Sequence, residues 1–591
     1  MRYVPTLEAR LRPGSAPGRR SSNSVSAGAS SIARRPLPQG VGRGALLAGQ
    51  GVYAFALIVF LALPLVAVLM NAAAGDAGGL ALVRNIVLQG DFLAMVGRSL
   101  AVGLMTVAIV VPAAYCFAYG LTRTRLPFKG FFRLVALLPL LAPSLLPGIA
   151  LVYLFGNQGL FKPLLGGGTL YGFWGIVAGE AFYTFPHALM ILVTGLTLAD
   201  GRLYDAARAM GAGALRTFLT VTLPGTRYAV FSACCLVFTL TVTDFGVPKV
   251  VGGDYNVLAI EAYKAVVGQQ NFARGAAIGL MLLVPAVLTF LLDRRLRTRQ
   301  GAGLSGRAQR YAPGAHRVRD LSFLFASGVI ACALLMLVGV AVWASFIKMW
   351  PYNLSLSLRS YDFDNMDGGW LAWRNSLQLA ALTALIGTAV VFCGAWMMEK
   401  LPARGVARGL RGVVSLLALT PMAVPGLVLG LGYIFFFNSP SNPLNGWYGG
   451  MALLVACTVV HFYTSAHLTA VTALGALDPE FESASAALKV PVFVTFWRVT
   501  LPMCLPAVLA TARYLFVSAM TTVSAVVFLY SPSTVLSAVA VLNMDDAGSI
   551  GPAAAMCTVI MATSATVALL LHAASLALVR RTQAWRLAPR D

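Results

Sequence analysis

Two polar stretches interrupt an otherwise apolar chain, and their residue types suit a recognition surface rather than bond-making chemistry. The first runs Asp205-Ala206-Ala207, then Gly211, then Val221-Thr-Leu223-Pro224; the second, about 278 residues on, runs Glu482-Ser483-Ala484, then Lys489, then Val499-Thr-Leu501-Pro502. An acid near a helix N-terminus is favoured by the helix dipole. Alanines keep one face small enough to seat in a groove, glycine permits a turn that a side chain would strain, and proline begins a helix where no amide bond is lost. The sequence therefore predicts a short helix, a turn and a re-entry into an apolar run within 200–224 and again within 478–502. In the second copy Asp478-Pro479 supplies an N-cap and a first-turn proline. The middle of that copy departs: Ser483 and Ser485 stand where the acid and second alanine would be, Glu482 lies one position early, and Lys489 takes the glycine position. A plain polar connection between helices is the competing reading, and the presence of two copies in register argues against it.

Ionisable groups at membrane depth are costly, so each is a functional candidate. Glu180 and Asp244 are the acids in apolar runs singled out here, and Thr522 stands at the Asp244 position of the second copy, so any charge there is one-sided. Together they are the candidates for lining a path, with a helix-end cap as the competing role for Asp244. His187, His461, His467 and His572 also fall in or beside apolar runs and read more readily as helix-to-helix hydrogen-bonding groups. Pro143 with Pro147 and Pro421 with Pro425 are each four residues apart and predict a break or kink that exposes backbone to a cavity. The chain has no Gly-Lys dipeptide, so no phosphate-binding loop of the G-x-x-x-x-G-K-[ST] type is possible, and no metal-ligand cluster or nucleophile with a nearby base is evident. No enzyme activity, bound cofactor or resident metal is expected.

What positions these stretches is a membrane-embedded scaffold. Of 591 residues, 58% are hydrophobic and 11% charged, with a mean hydropathy of +0.78, whereas soluble domains are about 25% charged. Apolar runs of about 20 residues match the hydrocarbon thickness of about 30 Å. The net charge of +23 is spread over short loops and tails beside those runs. That is the positive-inside pattern and not a nucleic-acid surface. All eight cysteines lie in apolar segments without C-x-x-C spacing and read as small buried hydrophobes.

Spans are expected near 51–73, 98–121, 132–156, 170–196, 226–248 and 272–293, then near 321–347, 375–398, 411–437, 448–474, 503–530 and 551–579. Loops holding Arg123, Arg125 and Lys129, the linker with Arg294, Arg295, Arg297 and Arg299, and the tail with Arg580 and Arg581 belong in the cytoplasm, while 438–450 and 531–550 have no Lys or Arg and belong outside. The fold class is an all-α polytopic membrane protein with about 12 spans in two parallel six-helix repeats. Matching pairs support the repeat: Ser99-Leu100 with Ser376-Leu377, Leu126-Pro127 with Leu401-Pro402, Pro147-Gly148 with Pro425-Gly426, and Phe182-Tyr-Thr-x-x-His187 with Phe462-Tyr-Thr-x-x-His467. The expected organisation is a disordered basic tail at 1–46, a first half at 47–293, a cytoplasmic linker at 294–320 acting as a plain tether, a second half at 321–580 and a short tail at 581–591. The largest external loops are expected at 249–271 and 348–374, as contact surfaces for an extracytoplasmic partner.

The first polar stretch resembles the cytoplasmic loop of binding-protein-dependent ABC importer permeases, Glu-Ala-Ala, three residues, Gly, nine residues, Ile-x-Leu-Pro, with Asp205 for Glu and Val221 for Ile. In that family the loop forms a coupling helix seated in a cleft of the ATP-binding subunit. The resemblance implies a fused permease with two such contacts: Asp205, Ala206, Ala207, Gly211, Leu223 and Pro224 in one, and Glu482, Ser483, Ala484, Lys489, Leu501 and Pro502 in the other. Thr243-Asp-Phe-Gly-Val-Pro-Lys249, Gly268-Gln-Gln-Asn-Phe272, His461-Phe-Tyr-Thr464, Asp478-Pro-Glu-Phe-Glu482, Leu488-Lys-Val-Pro491 and Thr521 through Pro532 resemble the fused permeases associated with 2-aminoethylphosphonate. Related fused permeases handle ferric iron and thiamine. The resemblance implies a bacterial inner-membrane location with both termini cytoplasmic. It also implies an ATPase partner in two copies that hydrolyses the ATP and an extracytoplasmic solute-binding protein. The alternative of another class is an ion-coupled secondary transporter.

Overall fold

The computed structural model describes residues 43–73, 90–300, 309, 311–364, 368–401 and 406–582. The predicted tails lie outside these residues, apart from the helix that begins at Arg43 and the helix end at Arg581 and Thr582. Among the described residues nine helices are long and apolar enough to cross a membrane: Leu47–Ala73, Asp91–Arg123, Phe173–Leu198, Ala214–Thr243, Phe272–Leu296, Arg317–Ser345, Gly369–Glu399, Val492–Thr521 and Ile550–Arg581. Three bent pairs bring the number to as many as twelve, where each pair counts as one span: Lys129–Leu141 with Leu145–Phe155, Arg408–Ala423 with Gly426–Phe437, and Met451–His461 with Tyr463–Gly475. All twelve expected spans thus have a counterpart.

The paired prolines act as expected, but harder. The third and ninth spans turn by 104° and 117° at residues 142–144 and 424–425, next to Pro143 and Pro425, because proline lacks the N–H that would continue the helical ladder. The inner arm Leu145–Phe155 is almost wholly buried, while Lys129–Leu141 leaves Phe131 and Leu134 exposed.

The repeat is visible in its hydrogen bonds. Ser99 Oγ accepts from the backbone N–H of Leu258 at 2.9 Å, and Ser376 Oγ accepts from Ser537 N–H at 2.8 Å. Each serine sits on the second span of its half and satisfies an otherwise orphaned donor at the start of a short buried helix, Leu258–Tyr263 or Ser537–Asp546. These helices correct one expectation. The 249–271 stretch is not an open external loop: residues 257–262 are all buried, so its apolar composition feeds the core. The equivalent 531–550 stretch folds inward in the same way.

The first span of each half packs against the other half. Phe60 stacks on Phe437 and Trp447, with ring centroids 5.8 and 5.9 Å apart, and its carbonyl accepts from Tyr433 Oη at 2.7 Å. Reciprocally, Phe323 on Arg317–Ser345 stacks on Tyr119 at 4.8 Å. The opposite face of the junction is tied by Lys249 Nζ to Asp546 Oδ1 at 2.8 Å. After Arg317–Ser345 the chain forms a two-stranded hairpin, β1 (Ile347–Met349) antiparallel to β2 (Asn353–Leu356). Four cysteines are buried, but Cys332 and Cys393 are exposed on the outside of the bundle, where an apolar thiol meets lipid as readily as core.

Because each serine holds a buried backbone donor, Ser99→Ala and Ser376→Ala should each destabilise the chain by about 1–3 kcal/mol, and the two costs should add because the sites are independent. Thermal unfolding of the detergent-purified protein checks this; unchanged midpoints would mean that the amides find other partners.

Candidate coupling loops and membrane path

Each polar stretch folds as a short helix, a left-handed turn and a helical return. The first helix is Gly201–Ala209 and the second Glu480–Ala487. Asp200, not Asp205, caps the first: its Oδ1 accepts from Arg202 N–H at 3.0 Å and Gln309 N–H at 3.1 Å. Those two amides hold its carboxyl below the usual carboxylate range. Asp205 lies mid-helix, exposed and paired with Arg208 one turn on, so the dipole argument applied to it fails. Asp478 plays the capping role in the second copy, accepting from Glu480 N–H at 2.9 Å.

One face of the first helix, Gly201, Tyr204 and Ala207, is buried against the bundle, while Asp205 and Ala206 face out together with Leu203 and Met210. The expected small-residue face is therefore split, with Ala207 turned inward. In the second copy Ser483, Ala484 and Lys489 are exposed and Glu482 is half-buried. Phe481 and Leu488 add apolar surface there. Apolar side chains gathered at a polar loop mark a contact surface.

The turn after each helix is the same. Gly211 has φ +72° and Lys489 has φ +57°, so lysine adopts a conformation that glycine takes without steric cost. The return differs from expectation in both copies. Leu223-Pro224 and Leu501-Pro502 do not start helices; each lies within a continuous helix, Ala214–Thr243 or Val492–Thr521, just after a π-helical turn at Phe218–Thr222 or Phe496–Thr500. The wider turn relieves the ring and the missing N–H of the proline.

Of the path candidates, Glu180 and Asp244 come together: Glu180 is fully buried beside Asp244, whose Oδ2 accepts from Val247 N–H at 2.9 Å. Tyr183 lies next to both and reaches towards Tyr514 of the second half. Among the described residues neither carboxyl group is in an ion pair with Lys or Arg. Asp244 and Thr522 occupy the same place, each closing the helix that follows its loop. His187 bonds the Tyr183 carbonyl at 3.3 Å and His467 bonds Tyr463 Oη at 3.2 Å, each one turn back on its own helix, whereas His572 Nδ1 lies 3.3 Å from Arg513 Nη1 on another helix.

At the opposite end of the bundle, Asn157, Tyr171, Lys348, Arg359, Asp362 and Gly548 are among the residues lining a cavity of about 640 Å³. The expectation of a contact surface at 348–374 therefore falls on a recess, while that at 249–271 does not.

Three residues that matter were not found from sequence. Arg123, Lys400 and Tyr311 pack against the two loop helices. A cation 277 residues apart at the end of both second spans, the same offset as Ser99 to Ser376, was the available signal. Tyr311 had none, since it lies in what reads as a tether.

The sequence profile of the family described as "Binding-protein-dependent transport system inner membrane component" matches residues 111–301 and again 401–581. The chain is similar to the ferric transport system permease protein FbpB of Actinobacillus pleuropneumoniae, at 27% identity over 76% of this chain and 66% of that protein, a little under two thirds of its length. It is also similar to the molybdenum transport system permease protein ModB of Azotobacter vinelandii, at 29% identity over 35% of this chain but 96% of that protein. The spermidine/putrescine permease PotC homologue of Mycoplasma genitalium matches at 29% over 34% of this chain and 68% of its own length. About a third of this chain thus accommodates a nearly complete ModB, as two fused copies of one unit require.

Replacing Lys489 by Gly should stabilise the second loop by about 1 kcal/mol, and Gly211→Ala should destabilise the first by a similar amount, because only glycine takes positive φ freely. Amide exchange across 480–490 and 201–213 reads each change as roughly fivefold. No change in either would mean that the turns relax.

Proposed function

We propose that this chain, which belongs to the family of binding-protein-dependent transport system inner membrane components, is the permease subunit of an ATP-driven importer. The observation that carries the reading is the pair of loop helices at one end of the bundle, each with an N-terminal carboxylate cap and a left-handed turn. On this reading that end is cytoplasmic together with both termini, which the basic loops support. Two copies of a separate ATPase seat on 200–224 and 478–502, through Asp205, Ala206 and Gly211 on one side and Ser483, Ala484 and Lys489 on the other. A solute-binding protein delivers to the opposite end, where the 640 Å³ recess lies. The path runs between the halves past Glu180, Asp244 and Thr522, and ATP closes and opens it from the loops.

The solute is a small one, and 2-aminoethylphosphonate is the first reading, from the stretches around Asp244, Gln269, Asp478 and Thr521. Its ammonium group suits the carboxyls of Glu180 and Asp244, neither in an ion pair with Lys or Arg among the described residues. Ferric iron is the second reading, favoured by the similarity to a ferric transport permease and suited to the same carboxyls.

Asp205→Lys and Gly211→Val should each lower uptake and ATPase stimulation by tenfold or so while the protein still accumulates in the membrane; normal uptake by both would remove docking at the first loop. Titrating the partner binding protein with 2-aminoethylphosphonate and with ferric ion decides the solute. Substrate accumulation by the purified chain alone, driven by an ion gradient, would replace the importer reading with a secondary carrier.

A further inference from the structure

The cytoplasmic ends of the two second spans hold the same position against the two loop helices, but with different chemistry. In the first half Arg123, only 3% exposed, donates from Nη2 to the carbonyl of Leu196 at 2.6 Å. Its guanidinium lies over two adjoining rings, 4.6 Å from the Tyr204 centroid and 4.5 Å from that of Tyr311. The rings themselves are 4.6 Å apart. Tyr204 is on the loop helix and Tyr311 is on the linker between the halves. In the second half Lys400 Nζ approaches the carbonyl of Leu477 at 3.4 Å and pairs with Glu482 Oε1 at 2.8 Å, with the lysine side chain 5% exposed. Glu482 stands 278 residues after Tyr204, the separation of Asp205 from Ser483. A buried cation on the second span, a carbonyl at the end of the fourth and a side chain of the loop helix therefore recur in both halves.

We infer that Arg123 and Lys400 are positioning residues that latch each loop helix to the second span of its half, so that displacement of the loop is delivered to the membrane bundle. A buried cation without its partner is strongly unfavourable, so span and loop move as one body. The departure of the second loop from the first is compensated at this point: where Tyr204 offers a ring face, Glu482 offers a charge. The linker is not a plain tether, because Tyr311 closes the first latch. The same segment is tied down by Gln309 O accepting from Gly201 N–H at 2.8 Å and by Pro313 O accepting from Arg125 Nε at 3.0 Å. The second latch, made within its own half, has no part of the linker in it among the described residues.

This inference rests on the importer reading for its consequence but not for its geometry, and two measurements separate them. In the purified chain alone, amide exchange across 478–490 should speed up by about tenfold in Lys400→Glu and in Glu482→Lys, and return to within about twofold in the double exchange, since only the pair restores the contact. Tyr311→Leu should likewise speed exchange across 201–211, although it lies in another part of the sequence. Should Lys400→Glu fail to accumulate, Glu482→Gln gives the same reading at smaller size. Exchange rates that ignore both the single changes and the charge swap would overturn the latch. In the complex with its ATPase, spin labels at Leu104→Cys and Leu385→Cys on the two second spans, with the native cysteines replaced, should change separation on adding ATP. In Lys400→Glu that change should be lost while the ATPase still co-purifies. An undiminished change in that variant overturns transmission through Lys400. An ATPase that does not co-purify with the unaltered chain overturns the importer reading instead, and leaves the exchange experiment to decide the latch.

Discussion

Hydrocarbon offers no water to an N–H or C=O, and that shortage governs this structure. Long helices are its ordinary solution. The irregular places show it more clearly, because several backbone donors freed by a break meet a specific acceptor. Ser99 and Ser376 accept from the first turns of the short buried helices. Asp244 accepts from Val247 N–H where its helix ends, and π-helical turns absorb the prolines of both Leu-Pro pairs. The sharp bends at 142–144 and 424–425 are tolerated because they are largely buried in protein.

The same constraint links the bent spans to the loops. Once the third and ninth spans turn through more than 90° at their prolines, their inner arms are enclosed by the helices around them, and each first span must reach across to the opposite half to complete the wall. The interlocked packing of Phe60 with Phe437, and of Phe323 with Tyr119, follows from that need. A bundle built this way interlocks its halves, with Glu180, Asp244 and Tyr183 brought together near Tyr514 of the second half.

The two loops show how duplicated units keep geometry while changing chemistry. Left-handed turns occur at Gly211 and Lys489 alike, and aspartates six residues before Ala206 and Ala484 cap both helices. Backbone shape is retained where the loop has to fit a fixed place on the bundle. Side chains vary where one kind of contact can replace another, as a ring face and a carboxylate do opposite the two buried cations.

The sequence alone determined the membrane class, the apolar segments that span, the duplication and the two loops, since each depends on local properties: run length, loop charge, turn residues and matched spacing. It also placed the bends, because proline acts on its own ladder. It could not show that 249–271 folds inward, as a short apolar stretch reads alike in a loop and in a core, nor that the helix starts at Asp200 and leaves Asp205 in its middle, a matter of five residues. The pairing of Glu180 with Asp244, the exchange of first spans, and the cations of Arg123 and Lys400 against Tyr204, Tyr311 and Glu482 were decided only by tertiary structure. Each joins residues far apart in the chain, and which of many possible partners a buried group meets is fixed by packing that no local pattern records.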